Sequence, residues 1–267
     1  MPPPATLDWP LYLGAAGATV VAFLLAWPVL VRARREAAVD ALWALAIPAL
    51  VVVAALASKG WAPRRGLAFA ISACWGLRLA GHLARRLAVE SDDGRYRAMR
   101  EALGARHMLA MGPFFLAQGV MAAALALPWW SVAADPEPRW RWLEAAGVAV
   151  WLLGFAGTAA ADRQLARWRA DPRHRGRTCR AGWWAWSRHP NYFFEWIGWC
   201  GVALIAWPAP AGWTGAAAAL LLLLMLTRVS GIPFTEQQAL RSRGDDYRAY
   251  QREVSAFVPL PRRSART

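Results

Sequence analysis

A chain of 267 residues could build one or two soluble domains, but 57% of these residues are hydrophobic and only 18% are charged, which argues against an ordinary soluble enzyme. The formal charge of +14 would suit a nucleic-acid partner, yet its placement along the chain argues against that as well.

The apolar residues come in long blocks, and a helix needs roughly 20 of them to cross the hydrocarbon core. In chain order the blocks predict about seven spans, near 11–31, 38–57, 66–83, 112–132, 140–161, 190–207 and 211–229. The first, "LYLGAAGATVVAFLLAWPVLV", follows "MPPPATLDWP", which has no basic residue, so it reads as a retained span and not a cleaved leader. The third is interrupted by Arg78 and His82, and "GWTGAAAALLLLLMLT" forms most of the last. The expected fold is therefore all-α: a polytopic membrane protein of about seven transmembrane helices in one integral domain, 1–267. Residues 11–161 are expected to enclose a substrate cavity and residues 162–267 to bind a cofactor.

Basic residues crowd into alternate connections: Arg32, Arg34 and Arg35; Arg85 to Arg106; Arg163 to Arg188; and the tail from Arg241 to Arg266. The other connections hold Lys59, Arg64, Arg65, Arg139 and Arg141. By the positive-inside rule this asymmetry sets the N-terminus outside and the C-terminus in the cytosol, with Lys59, Arg64 and Arg65 as a local exception. Lys59 is the only lysine, and the Arg and Ala usage of GC-rich coding suggests a bacterial inner membrane. The long polar segments 84–111, 162–186 and 231–267 then face the cytosol and are where a soluble ligand would bind.

Ionisable groups inside spans are costly and are read first as functional candidates. Asp40, in "AVDALWAL", either caps its helix or takes part in chemistry. Arg78 lies deeper and suits either an ion pair, with Asp40 a candidate partner, or a substrate contact; His82 shares its helical face. His82 and Arg228 could equally snorkel to the surface, and Gln118 could join helices or touch substrate. Pro190 suits the first turn of a helix that begins after Arg188 and His189. Asn191 and Glu195 then lie one turn apart and present an amide and a carboxylate together. In the tail, Glu236 and Leu240 share one helical face, Tyr247 and Tyr250 a second, and Phe257 to Pro261 is an extended apolar end. That tail reads either as an interfacial helix or as part of a pocket for a phosphorylated ligand, for which Arg is the preferred fork. No G-x-G-x-x-G or P-loop occurs in a strand–helix context. The three cysteines, Cys74, Cys179 and Cys200, and the four histidines lack metal spacing, so no metal is expected.

The block "GWWAWSRHPNYFFEWIGW" and the Y-x-x-Y…P tail resemble the steroid 5-alpha-reductase family, most closely its bacterial branch. Through "CWGLRLAGHLARR", "SDDGRYRAMRE" and "FFLAQG" the resemblance covers about residues 40–262. It implies a seven-helix membrane enzyme that uses NADPH to reduce a carbon–carbon double bond conjugated to a ketone. The substrate would be apolar and steroid-like, reached from membrane lipid, with no nucleic-acid partner. The resemblance implies cofactor contacts from Asp162, Arg169, Asn191, Glu195 and Arg228, while Ala166 replaces an Arg of the eukaryotic enzymes. Arg188, His189, Tyr192, Glu236 and Tyr247 complete the expected cofactor set. The Glu and Tyr that grip the ketone in eukaryotic members have no placed counterpart. Asp40 and Arg78 are the nearest substitutes and the expected catalytic pair, with Trp43, Trp75 and Gln118 toward the substrate. The alternative is an S-adenosylmethionine-dependent methyltransferase resembling the isoprenylcysteine carboxyl methyltransferases, which share the R-H-P-x-Y block and the E…L…Y-x-x-Y…P tail. Here Phe193, Phe194 and Glu195 stand where that family usually has a Gly. A channel or transporter would show repeats or broken helices, and neither is evident in the sequence.

Overall fold

In the computed structural model, which describes residues 7–89 and 94–262, every regular element among those residues is helical; the only strand-like feature is an isolated parallel bridge between Ser187 and Ser255. Asp92 and Asp93 of the second basic connection and the last arginines of the tail lie outside the described residues. The chain divides into two compact units: Met1–Arg141 with Ala206–Thr214, and Trp142–Ile205 with Gly215–Thr267.

The first unit holds α1 (Trp9–Arg32), α2 (Ala38–Ala57), α3 (Ala62–Val89), α4 (Gly94–Leu103) and α5 (His107–Ala134). Asp8 caps α1 by accepting the Leu11 N–H at 3.0 Å, and Pro10 occupies the first turn, where a missing donor costs nothing. α5 packs against α1 and α2, and α2 also packs against α3. Small residues allow these close approaches: a methyl on Gly76 would sit 2.6 Å from the Ala44 carbonyl oxygen, and one on Gly112 would sit 3.1 Å from the Trp27 ring. Phe23, Val39, Met111 and Phe115 form the interior. Leu25 and Leu56, 68% and 79% exposed, face outward as lipid-facing side chains do.

Two of the arginines that broke the charge asymmetry have structural work in this unit. Arg64 is fully buried and donates to the carbonyl oxygens of Asp135 (3.3 Å), Glu137 (2.6 Å) and Arg139 (2.8 Å). Its guanidinium carbon lies 5.4 Å and 5.6 Å from the ring centroids of Trp61 and Trp140. Arg65 donates to the Ala55 and Ser58 carbonyl oxygens and so ties off the end of α2.

The second unit holds α6 (Trp142–Ala170), most of α7 (Pro190–Ala206), α8 (Trp213–Leu224) from Gly215 onward, and α9 (Ile232–Glu253). α8 continues into a π-helical turn over Met225–Val229. α6 and α7 meet backbone to backbone through glycines: a methyl on Gly201 would sit 2.5 Å from Trp151 N, and one on Gly147 would sit 2.7 Å from the Gly201 carbonyl oxygen. α9 is broken at Gly244, whose φ of 51° and ψ of −122° no helix contains.

Among the described residues six helical runs are long and apolar enough to cross a membrane: α1, α2, α3, the run that includes α5, α6, and the run from Trp213. The remaining expected span, 190–207, is α7. At 17 residues and a rise of about 1.5 Å each, it sits at the short end of what crosses a bilayer. α6 continues to Ala170, nine residues past the apolar block, because "DRQLARWRA" is rich in good helix formers. Asp162 and Arg169 therefore ride on a helix and not on a loop.

Candidate functional site

In the second unit the first turn of α7 is tied to α6. The Asn191 amide donates to Asp162 Oδ1 at 3.1 Å, joining two expected cofactor residues that lie 29 positions apart in the chain. The other end of that amide, Asn191 Oδ1, is buried and has no partner among the described residues. Glu195, half-buried, follows one turn later. The turn over Gly182–Ala185 is fixed to the same stretch of α6: Gln164 Oε1 accepts the Trp183 N–H at 2.9 Å, and Trp184 Nε1 donates to the Ala161 carbonyl oxygen at 3.0 Å. Below these contacts lies an open cleft lined by Gln164, Arg167, Trp168, His174 and Gly182, in which the Trp168 and His174 rings stack in parallel.

The "RHPNY" block and the tail form one clamp. Arg188 Nε donates to Glu236 Oε1 at 2.6 Å, and its Nη1 donates to the carbonyl oxygens of Gln251 (3.0 Å) and Val254 (2.6 Å). His189 Nε2 lies 3.3 Å from Glu236 Oε1, and the Gln251 amide donates to Oε2 at 2.8 Å. Tyr247 OH donates to Glu236 at 3.4 Å, while Tyr250 OH donates to the Trp184 and Ser187 carbonyl oxygens at 2.5 and 3.2 Å. The extended end closes the clamp through Arg188 N to the Ser255 carbonyl oxygen and Leu260 N to that of Trp186.

Burial pushes the Glu236 carboxyl up, but the hydrogen bonds from His189 and Arg188, the Arg188 charge and the Gln251 amide outweigh it and bring the group down to about 2. Burial lowers His189 against the opposing pull of Glu236. Burial also raises Tyr247 and Tyr250 well above the ordinary phenol value, so both remain hydrogen-bond donors. Arg188, His189 and Tyr247, all assigned to the cofactor from sequence with Glu236, thus converge on Glu236 Oε1. Tyr192 stacks on His189 and shares a 3.2 Å hydrogen bond with Thr235. Arg169 and Arg228 are exposed, the latter within the π turn. Arg243, which sequence reasoning passed over, packs its guanidinium on the Tyr247 ring at 5.0 Å.

In the first unit, Asp40 accepts from Arg95 at 2.7 Å and from Tyr96 OH at 3.1 Å. Arg95 of α4 is thus one cation paired with this carboxylate. Arg78 is half-buried on α3, Gln118 half-buried on α5, and His82 exposed. Trp43 and Trp75 meet edge to face with ring centroids 5.7 Å apart. A second acidic centre was missed: Glu36, 1% exposed, accepts from Arg100 at 2.8 Å and lies 3.0 Å from His107 Nε2. In the sequence Glu36 stands in a basic connection and looks solvated. Its four-residue spacing from Asp40 was the one available signal.

Helices fit to cross a membrane, carrying a polar clamp that joins the start of α7 to α9, define a helical membrane protein. Residues 26–254 match the family described as a protein of unknown function (DUF1295), and the chain belongs to that family. No curated protein and no solved structure matches it.

Proposed function

We propose that this protein is a membrane-embedded, NADPH-dependent reductase of a carbon–carbon double bond conjugated to a ketone, acting on an apolar, steroid-like substrate. One observation carries the reading: the Asp162–Asn191 bond, which joins two residues that the resemblance implicates in cofactor binding and leaves a buried amide oxygen free to accept. A carboxamide or ribose hydroxyl would satisfy that oxygen, so the residues present suit a nicotinamide dinucleotide. Glu195 would hold a second donor of the same ligand, and Arg169 an anionic part of it.

When bound, NADPH supplies the hydride to the β-carbon of the enone. The chain's own task is to stabilise the negative charge that develops on the ketone oxygen, which is usually the largest catalytic contribution. Asp40 already accepts from Arg95 and Tyr96. In this reading it orients its neighbours, and Arg78 is the donor toward the oxygen. Trp43, Trp75 and Gln118 would line the apolar substrate. The charge asymmetry supports an inner-membrane location with the C-terminus in the cytosol, where the dinucleotide is.

The methyltransferase alternative shares the clamp and is separated by ligand binding. In detergent-solubilised full-length protein, NADPH at about 100 times its Kd adds about 2.7 kcal/mol of stability. That should raise the apparent melting temperature by about 5 °C or more, while S-adenosylmethionine leaves it unchanged. The reverse result would overturn the reductase reading.

A further inference from the structure

Beyond its apolar block, which ends at Ala161, α6 carries polar groups on two faces. At about 3.6 residues per turn, Asp162 and Arg169, both expected to meet the cofactor, lie on one face. Gln164, Trp168 and Asp171 lie on the opposite face, and with Arg167, His174 and Gly182 they line a cleft of about 360 Å³. The proposed reduction leaves that cleft unused. Its one carboxylate is already neutralised, because Arg173 Nε and Nη2 donate to Asp171 Oδ2 at 3.0 and 2.6 Å.

Cations are in excess around this cleft. Arg163 and Arg167 stand four residues apart on an exposed face of α6, and Arg175 and Arg177 are exposed on the turn around His174. The nearby carboxylates are engaged elsewhere: Asp171 with Arg173, and Asp246 and Glu253 with Arg180. Among the described residues no carboxylate pairs with Arg163, Arg167, Arg175 or Arg177. Like charges four apart destabilise a helix, so an anion held between Arg163 and Arg167 would relieve that repulsion.

Depth and surroundings identify the anion. Arg163 and Arg167 lie roughly 3 and 9 Å along the helix beyond Ala161, which is the level of the lipid headgroups. The adjoining surface is apolar: Trp183, Trp186, Val258 and Leu260 are all exposed. The Leu260 N–H donates to the Trp186 carbonyl oxygen at 3.0 Å, which holds the extended end against the tryptophans. Gln164, in the cleft wall, accepts the Trp183 N–H at 2.9 Å, so cleft and apolar patch are contiguous. Exposed tryptophan beside arginine at the end of a membrane helix suits the lipid interface, and an apolar patch rimmed by charge marks a contact surface. A soluble anion would engage the cations alone, whereas a phospholipid engages both.

We infer that the cleft and the apolar patch together bind an anionic phospholipid, with its phosphate on Arg163 and Arg167 and an acyl chain over Trp183 and Trp186. Juxtamembrane arginines attract anionic lipid by the same chemistry. The inference is independent of the reductase reading, whose residues Asp162 and Arg169 lie on the other face of α6. A free phosphate ester shares the headgroup chemistry, so the test separates the two sources.

Short-chain phosphatidylglycerol, short-chain phosphatidylcholine, glycerol 3-phosphate and NADPH are titrated separately into the detergent-solubilised full chain to obtain dissociation constants. Wild type is compared with the paired variants Arg163→Gln/Arg167→Gln and Arg163→Lys/Arg167→Lys, and with Trp183→Ser. A control pair, Arg32→Gln/Arg34→Gln, removes two exposed cations of the first unit. Each variant is first checked for an unchanged melting temperature without ligand. Phosphatidylglycerol should bind wild type about tenfold tighter than phosphatidylcholine, an advantage that the Gln pair removes and the Lys pair largely keeps. Trp183→Ser should weaken both lipids, the control pair should change nothing, and NADPH affinity should be the same in every variant. Glycerol 3-phosphate, which has no acyl chain, should bind at least about tenfold more weakly than phosphatidylglycerol. Phosphatidylglycerol binding that ignores the Gln pair, or falls equally in the control pair, would overturn the site. Glycerol 3-phosphate binding as tightly as the lipid would replace the phospholipid with a soluble phosphate ester. NADPH binding lost with the Gln pair would return the cleft to the dinucleotide and overturn the inference.

Discussion

Glu236 is the residue on which the clamp converges. Its carboxylate gathers Arg188, His189, Gln251 and Tyr247, so Glu236→Ala would strand a half-buried guanidinium and an amide. We expect the unliganded protein to lose about 2 kcal/mol at neutral pH, measured as a lower apparent melting temperature. The pH dependence has a definite sign. Glu236 is held at about 2 against an ordinary 4.5, so its stabilisation is present above about pH 4.5 and is lost as pH falls toward 2. His189 is held below its ordinary 6.5, so its loss starts earlier, as pH falls below about 6.5. A melting-temperature profile should therefore decline in acid in two stages, with the lower stage absent in Glu236→Ala. The sequence made Arg188 and Glu236 visible as residues. It could not show that the Arg188 guanidinium meets a carboxylate 48 positions away, because that depends on how the tail folds back. Glu36 was harder still, since a buried acid and a solvated one look alike in a basic connection.

Hydrophobic runs were sufficient to locate the six described runs that are long and apolar enough to cross a membrane, because burial in lipid is written directly into composition. They were silent about α4 and about the last two turns of α6, which are helical by propensity and carry no apolar signal. The α6–α7 contact was also hidden: its glycines are unremarkable until the two backbones are seen to touch. A methyl on Gly201 would meet Trp151 N at 2.5 Å and the Gly147 carbonyl oxygen at 2.6 Å, both backbone atoms that cannot swing aside. Gly201→Ala should therefore cost about 1–3 kcal/mol through overpacking. It should also weaken NADPH-induced stabilisation, since α6 and α7 carry Asp162 and Asn191. Gly66→Ala, where nothing lies within 4 Å of the added methyl, is the matched control and should leave the melting temperature near wild type.

For the molecule as a whole, the number of crossings sets where the termini lie. If α7 crosses the bilayer with the six longer runs, the termini lie on opposite sides; if it does not, they lie on the same side. The charge asymmetry predicts opposite sides. A fluorescent protein fused after Thr267 should then mature in the cytosol, and Asp8→Cys on a cysteine-free background should react with an impermeant maleimide added from outside. Labelling only after lysis would reverse that orientation. Arg64 and Arg65 blurred the charge pattern because a sequence records a cation without recording whether carbonyl oxygens enclose it. That enclosure also bears on biosynthesis. The carbonyl groups that receive Arg64 lie 71 to 75 residues downstream. At about 5–20 residues per second, roughly 4 to 14 s of translation separate the cation from the first of them. During that interval the hairpin of α2 and α3 carries an unsheltered guanidinium into the insertion machinery, so the nascent chain is most exposed to misinsertion and to quality-control proteolysis before the end of α5 emerges.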